Sequence, residues 1–272
     1  MPRVGSIQLD PVPDATGVIG SYGECFPGMA AEEWVPYWQL YPDLVAGEDW
    51  RAPCHSFLVR SERATILVDT AVGPPGSWPD WTPEVEGRLP DELAALGVAA
   101  TDVDAVFLTH LHIDHLGWNT DSGGVPLFPR ARYVVHRDAL DYTKQHADRP
   151  HIRRCVQPLA DRFETVSGEV ELGDGVIAFE APGHYPGHMA VRLTSDGERA
   201  VLLADVAVHP VLLDRLHVAY VFDVDPASAV ETRRALLPEL VDCDVLVACG
   251  HYPGVGIGRL VTQSGRIVFV AA

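Results

Sequence analysis

The sequence predicts an α/β fold with many short strands, and three observations predict it. Short apolar or alternating runs recur in both halves of the chain, helix-type segments fall between them, and no internal repeat of 20 to 50 residues interrupts the pattern. In the first half the strand candidates are Ser6–Leu9, Ser56–Val59, Thr65–Val68, Ala105–Leu108 and Tyr133–Val135. In the second half they are Val176–Phe179, Ala190–Leu193, Ala200–Ala204, Val245–Ala248 and Arg266–Val270. Helix candidates are Pro90–Leu96, Arg137–His146, His151–Phe163 and Pro226–Leu237. The last has Asp225 as a cap, Pro226 at its first position and Val230, Leu236 and Leu237 on an apolar face. At 272 residues the chain can bury a substantial core and is read as one domain, 1–272.

Composition narrows the function. Hydrophobic residues make up 47% and charged residues 21%, ordinary values for a globular protein. The chain has 20 basic and 38 acidic residues, a formal net charge of −18, and no basic run. Contact with a phosphate backbone needs clustered Lys and Arg, so a nucleic-acid partner is excluded and a small-molecule substrate expected. No 18-residue apolar run exists, so no membrane span is expected. The first ten residues lack the apolar core of a signal peptide, and the five cysteines (Cys25, Cys54, Cys155, Cys243, Cys249) are odd in number without close pairing. Both features suit reduced thiols in a cytoplasm.

The segment Leu108-Thr-His-Leu-His-Ile-Asp-His-Leu-Gly117 packs His110, His112, Asp114 and His115 into six positions, directly after the apolar run Val106–Leu108. In extended chain, side chains at i and i+2 point the same way, so His110 and His112 can face one point. Asp114 and His115 follow from the turn and can reach a second point nearby. Neutral imidazoles with an anionic oxygen suit a borderline ion such as Zn²⁺. The rest of the chain repeats the design of a buried strand that ends on a liganding side chain. Ala181-Pro-Gly-His-Tyr-Pro-Gly-His188 follows Val176–Phe179, Val201–Asp205 ends on an acid, and Val245–His251 ends on a histidine. Cys249, two residues before His251, could offer a thiolate but reads as a small buried strand residue.

This order of motifs resembles the metallo-β-lactamase-fold hydrolase superfamily: His-x-His-x-Asp-His, then Pro-Gly-His, then a strand-terminal Asp, then Gly-His, with Leu67-Val-Asp-Thr70 similar to its earlier Asp-Thr motif. The resemblance covers about residues 54 to 251 and implies an αββα four-layer sandwich. Carried across position by position, it implies that His110, His112 and His184 hold one metal, that Asp114, His115 and His251 hold a second, and that Asp205 bridges them. His188 then orients or packs rather than binds. Within the superfamily the chain is most similar to the N-acyl-homoserine lactonases and methyl-parathion-hydrolase-like enzymes, which share the Asp114–His115 pair and a long N-terminal segment.

The resemblance implies a binuclear metal-dependent hydrolase of a small, partly apolar ester or lactone, with a metal-bridging hydroxide as nucleophile. Zn is the expected ion, with Fe, Mn and Co as alternatives. Asp114 could also shuttle a proton to the leaving group. Asp69 could orient an imidazole or simply form a turn after its strand. Some lactonases of the family carry a tyrosine three residues after the bridging Asp; here that position is Val208, which cannot donate a hydrogen bond. Tyr220 and Tyr185 are candidates to replace that hydroxyl. Other relatives carry His-His-Pro there, of which His209-Pro210 remains, so His209 either faces substrate or is buried and structural. Alternatives are a thioesterase of glyoxalase-II type, a phosphotriesterase and, from another class, a mononuclear iron sulfur dioxygenase. A secreted β-lactam hydrolase would need an export signal, and a non-catalytic metal module would not need all seven ligands.

Residues 19–53 stand apart. Trp34, Tyr37, Trp38 and Tyr41 recur at i, i+3, i+4 and i+7. Such a stripe packs a helix on the core, roofs the metal cleft with an apolar wall to which Phe26, Pro27, Trp78 and Trp81 add, or makes a homodimer contact.

Overall fold

The computed structural model describes residues 2–77 and 87–272, so Trp78 and Trp81 lie outside the described residues. The chain forms two sheets. The first holds β1 (Arg3–Val4), β2 (Ile7–Ser21), β3 (Val45–Ala46), β4 (Asp49–Arg60), β5 (Thr65–Val68), β6 (Ala105–Leu108), β7 (Arg132–His136) and β8 (Phe163–Val166). Their order is β1-β2-β4-β5-β6-β7-β8, with β3 beside β4. The second holds β9 (Val170–Gly173), β10 (Val176–Glu180), β11 (Met189–Ser195), β12 (Glu198–Leu202), β13 (Val245–Ala248), β14 (Ile257–Gln263) and β15 (Arg266–Ala271), paired in sequence except that β12 and β13 are parallel neighbours.

Period-two alternation sorts the side chains into layers. In β6, Ala105 and Phe107 enter the core between the sheets, where they join Val191, Leu193 and Ala200 of the second sheet. Val106 and Leu108 point the other way and pack with Leu89, Leu93 and Ile152 of the helical layer. β13 does the same on the second sheet: Leu246 and Ala248 face inward, while Val245 and Val247 meet Leu212, Leu213 and Leu237. Each central strand is buried on both faces, which is why these runs read as continuously apolar. The result is the αββα sandwich.

Several expected strands match to the residue: Thr65–Val68, Ala105–Leu108 and Val245–Ala248. Others are longer than expected. Ser6–Leu9 is only the start of the 15-residue β2, and Ser56–Val59 is the end of the 12-residue β4. The expected helix His151–Phe163 divides into Pro150–Cys155, a 3₁₀ turn at Gln157–Leu159, and β8 from Phe163. Pro158 has no N–H to continue the α-helical ladder.

The aromatic stripe lies on the helix Ala31–Leu40 and faces the outer side of the second sheet. Trp34 is 2% exposed and Tyr37 1%. The Tyr37 hydroxyl donates to Asp214 Oδ2 at 2.6 Å, and the Phe269 backbone N–H donates to the Tyr41 hydroxyl at 2.9 Å. Trp38 is partly buried in the same cluster, its ring 5.7 Å from that of Tyr22. None of these side chains lines the cleft that His112 and Asp114 line, so the substrate-wall reading of Trp38 is corrected to core packing; from residues 19–53 only Ile19 reaches that cleft. Among the described residues, no helix is long and apolar enough to cross a membrane.

Loss of the Trp34 ring leaves a cavity under this helix. Trp34→Ala is expected to lower stability by about 3–5 kcal/mol in denaturant unfolding and to leave substrate chain-length preference unchanged. A stable variant with altered chain-length preference would restore the ring to the cleft.

Candidate metal centre

The donor side chains emerge where strands end. Asp69 follows β5, His110 follows β6, His184 follows β10, Asp205 follows β12 and His251 follows β13. These are carboxyl ends of strands, the edge at which open α/β sheets place ligands. The backbone turns sharply there: Asp69, Ala71 and Ala204 are non-glycine residues with φ of 60°, 44° and 47°. Left-handed conformations at such residues cost energy and persist only where the surroundings hold them. At Gly117 the histidine-bearing loop crosses the 71–73 turn so closely that a Cβ would collide with the Val72 carbonyl.

Two sets of donor atoms result. In the first, His110 Nε2 is 3.1 Å from His112 Nδ1, His184 Nε2 is 2.9 Å from His112 Nδ1, and Asp205 Oδ2 is 3.1 Å from His184 Nε2 and 3.8 Å from His110 Nε2. In the second, Asp205 Oδ1 is 3.4 Å from His115 Nε2 and 3.6 Å from His251 Nε2. Asp114 Oδ2 completes it, 3.4 Å from His251 Nε2 and 3.8 Å from His115 Nε2. Asp205 therefore turns one carboxylate oxygen toward each set.

Outer partners orient the rings. His115 Nδ1 donates to Asp69 Oδ2 at 2.8 Å, and Asp69 also accepts from the Thr109 N–H at 2.8 Å. Asp69 thus holds both ends of the motif loop and is more than a turn residue. His184 Nδ1 donates to Asp223 Oδ1 at 3.0 Å, and His251 Nδ1 to the Pro53 carbonyl at 2.9 Å. Asp223 is itself held by the fully buried Arg233 at 3.3 Å. Such contacts fix the tautomer that turns Nε2 inward.

The residues fit a bound cation. His115 Nε2 and Asp205 Oδ1 are buried with no hydrogen-bond partner, although each faces the centre. Unpaired buried polar atoms of this kind are expensive. Burial pushes His110 and His112 well below the usual imidazole range, leaving neutral nitrogens available as donors. For His115 burial works downward, but the carboxylates of Asp205, Asp114 and Asp69 prevail and hold it well above that range. Burial likewise opposes charge on Asp205, yet His115, His251 and His184 draw it well below the usual carboxylate range.

The other expected site residues divide. His188 lies behind the centre: its Nδ1 donates to the Ala181 carbonyl at 2.8 Å, and its Nε2 accepts from the Asp205 backbone N–H at 3.1 Å. It positions the Asp205 turn. His209 sits away from the cleft among Tyr22, Phe26, Trp34 and Trp50, and its Nδ1 accepts from the Val211 N–H at 3.0 Å. The buried structural reading is the one the structure shows. Tyr220 and Tyr185 both line the cleft. Tyr220 stacks on His184, with ring centroids 5.8 Å apart, and Phe26 backs it at 5.3 Å. Val208 is fully buried.

Sequence reasoning missed Asp223, Arg233, Cys54, Arg149 and His151. Asp223 stands in a run with no strand-to-ligand pattern, so nothing local marks it. The cleft encloses about 320 Å³, with Ile19, Val72, Ile113 and Phe222 as apolar walls and Arg149 and His151 among its lining residues.

An αββα sandwich with two carboxylate-linked donor sets at its strand ends defines a class of metal-binding proteins. The sequence profile of the Metallo-beta-lactamase superfamily matches residues 49–251. The chain belongs to that superfamily. It is 28% identical over 176 residues to an N-acyl homoserine lactonase of Bacillus sp, covering 59% of this chain and 66% of that protein. It is 29% identical over 175 residues to the N-acyl homoserine lactonase AttM of Azorhizobium caulinodans, covering 56% and 64%. The matched region thus spans just under two thirds of these relatives. Among solved structures, the dizinc quorum-quenching lactonase AidC superposes with a TM-score of 0.83 at 20% identity, covering 100% of this chain and 96% of that one. The hydrolase AbOPH superposes with a TM-score of 0.82 at 26% identity over the same shares.

Two outcomes follow from this geometry. Asp205→Ala should lower metal content in both sets, read by elemental analysis, whereas His188→Ala should retain metal; metal loss in His188→Ala alone would reverse their roles. His209 supplies a pH signature. Burial lowers its pKa to about 3, whereas an unfolded imidazole titrates near 6.5. Below about pH 6.5 the unfolded chain binds the extra proton. The contribution to stability is therefore whole above that pH and is lost as the pH falls toward 3. In urea unfolding, His209→Gln should show a shallower decline between pH 6.5 and 4 than the wild type; equal slopes would contradict this burial.

Proposed function

We propose that the protein is a binuclear metal-dependent hydrolase that opens lactones bearing an apolar acyl chain. The observation that carries this reading is the pairing of two complete donor sets through Asp205 at the floor of an apolar-walled cleft. His110, His112, His184 and Asp205 would hold one ion, and Asp114, His115, His251 and Asp205 the other. Bound there, two divalent ions supply a water-derived nucleophile at neutral pH and Lewis acidity toward the carbonyl oxygen. Zn²⁺ suits the nitrogen-rich set best. The names of the lactonase relatives support the choice of lactone.

The chain's own groups complete the reaction. Burial, with Asp205 and Asp114 nearby, holds the Tyr220 hydroxyl well above the usual phenol range, so it stays a proton donor. It faces the cleft beside His184 and takes the place of the donor that Val208 lacks, hydrogen-bonding the lactone carbonyl oxygen as charge develops. Asp114 lines the cleft with its side chain 23% exposed, so it can carry a proton to the departing ring oxygen. Ile19, Val72, Ile113 and Phe222 receive the acyl chain and exclude water from it. The second donor set is intact, which argues against a single-iron sulfur dioxygenase.

A panel of acyl lactone, simple ester, thioester and phosphotriester, assayed on zinc-loaded protein, tests the reading. The lactone should give the highest kcat/KM, and a chelator should abolish turnover. A preferred thioester or phosphotriester would overturn the substrate class. Tyr220→Phe should lower lactone kcat about a hundred-fold at unchanged metal content; an unchanged kcat would remove Tyr220 from the carbonyl.

A further inference from the structure

We propose that Cys54 is a thiolate donor to the ion of the second set, joining Asp114 and His251. Its Sγ, an Asp114 carboxylate oxygen and a His251 ring nitrogen lie within 4.8 Å of one another. On one tetrahedral zinc ion, with Zn–S and Zn–N lengths of about 2.3 and 2.1 Å, sulfur and nitrogen donors lie about 3.6 Å apart. The three atoms would close to that spacing around a bound ion.

The backbone holds Cys54 in this place. Its two neighbours on β4 are tied to the loop that carries His251: the Pro53 carbonyl accepts from His251 Nδ1 at 2.9 Å, and the His55 N–H donates to the Gly250 carbonyl at 3.0 Å. Cys54 lies between these two ties, is 1% exposed to solvent and lines the cleft. Among the described residues no acceptor takes its thiol. Cys249 shows the contrast, since its Sγ donates to the Ala204 carbonyl at 3.3 Å. His251 also belongs to the neighbouring group with His115 and Asp205, whose Nε2 and Oδ1 lie 3.4 Å apart, buried and without a hydrogen bond.

Without an ion the thiol remains protonated, because burial and the carboxylates of Asp114, Asp14 and Asp205 all disfavour an anion. A bound cation reverses that balance. The S–H bond then gives its proton to solvent and its electron pair to the ion. A sulfur donor makes the second set softer than the first, favouring Zn²⁺ or Co²⁺ over Mn²⁺ there.

The inference rests on the two-ion reading of the centre, and cobalt separates the two. Metal-free protein is loaded with Co²⁺, its bound cobalt counted, and its near-ultraviolet spectrum recorded for sulfur-to-cobalt charge transfer. Wild type and Cys249→Ser should both show the band, and Cys54→Ser should lose it. The second ion should also bind on the order of ten- to a hundred-fold more weakly in Cys54→Ser. Two bound cobalt ions without the band in wild type would overturn the role of Cys54 and leave the two-ion centre standing. One bound cobalt with a band that Cys54→Ser removes would sink the two-ion reading and keep the thiolate. A band unchanged in Cys54→Ser would overturn the inference.

Discussion

The buried carboxylate of Asp205 is the constraint on which the centre depends. Its side chain is 5% exposed, and its two oxygens face two groups of imidazoles. An isolated charge so deeply buried is costly unless it is paired or binds metal. The fold meets that demand with His110, His115, His184 and His251, each delivered from the end of a different strand or turn. The tie from the Asp205 backbone to His188 and the left-handed Ala204 aim the carboxylate into the centre rather than along its strand.

Rigidity around that carboxylate comes from the sandwich. β6, β12 and β13, which lead to His110, Asp205 and His251, lie inside their sheets and are fully buried where they end, so these positions move only if the core moves. A second ring of contacts then fixes the imidazoles. Asp69 restrains the motif loop at Thr109 and His115, and Asp223, anchored by Arg233, restrains His184. This layered arrangement holds the clustered imidazoles and carboxylates in fixed positions.

The donor set was legible in the sequence because each donor follows an apolar strand with little intervening chain. Short spacing makes such residues readable, as in the six positions from His110 to His115. The four-layer order was less legible. Strands buried on both faces lose the alternation that would reveal which face meets which layer, and the sandwich came from resemblance. The aromatic stripe at Trp34, Tyr37 and Trp38 shows a different limit. Helical periodicity marks a buried face but does not say whether substrate or sheet buries it, and here the sheet does. His209 was ambiguous for the same reason. Asp223 and Cys54 were unreadable because their roles arise from pairings distant in sequence: Asp223 with His184 across 39 positions, and Cys54 beside a loop whose His251 bonds Pro53 across 198.

The central claim is that one buried carboxylate joins two ion sites. Anomalous diffraction at the zinc edge from zinc-loaded crystals tests it most directly. The account requires two peaks, one bounded by His110, His112 and His184 and the other by Asp114, His115 and His251, with Asp205 between them. A single peak, or a second peak away from Asp205, would contradict it.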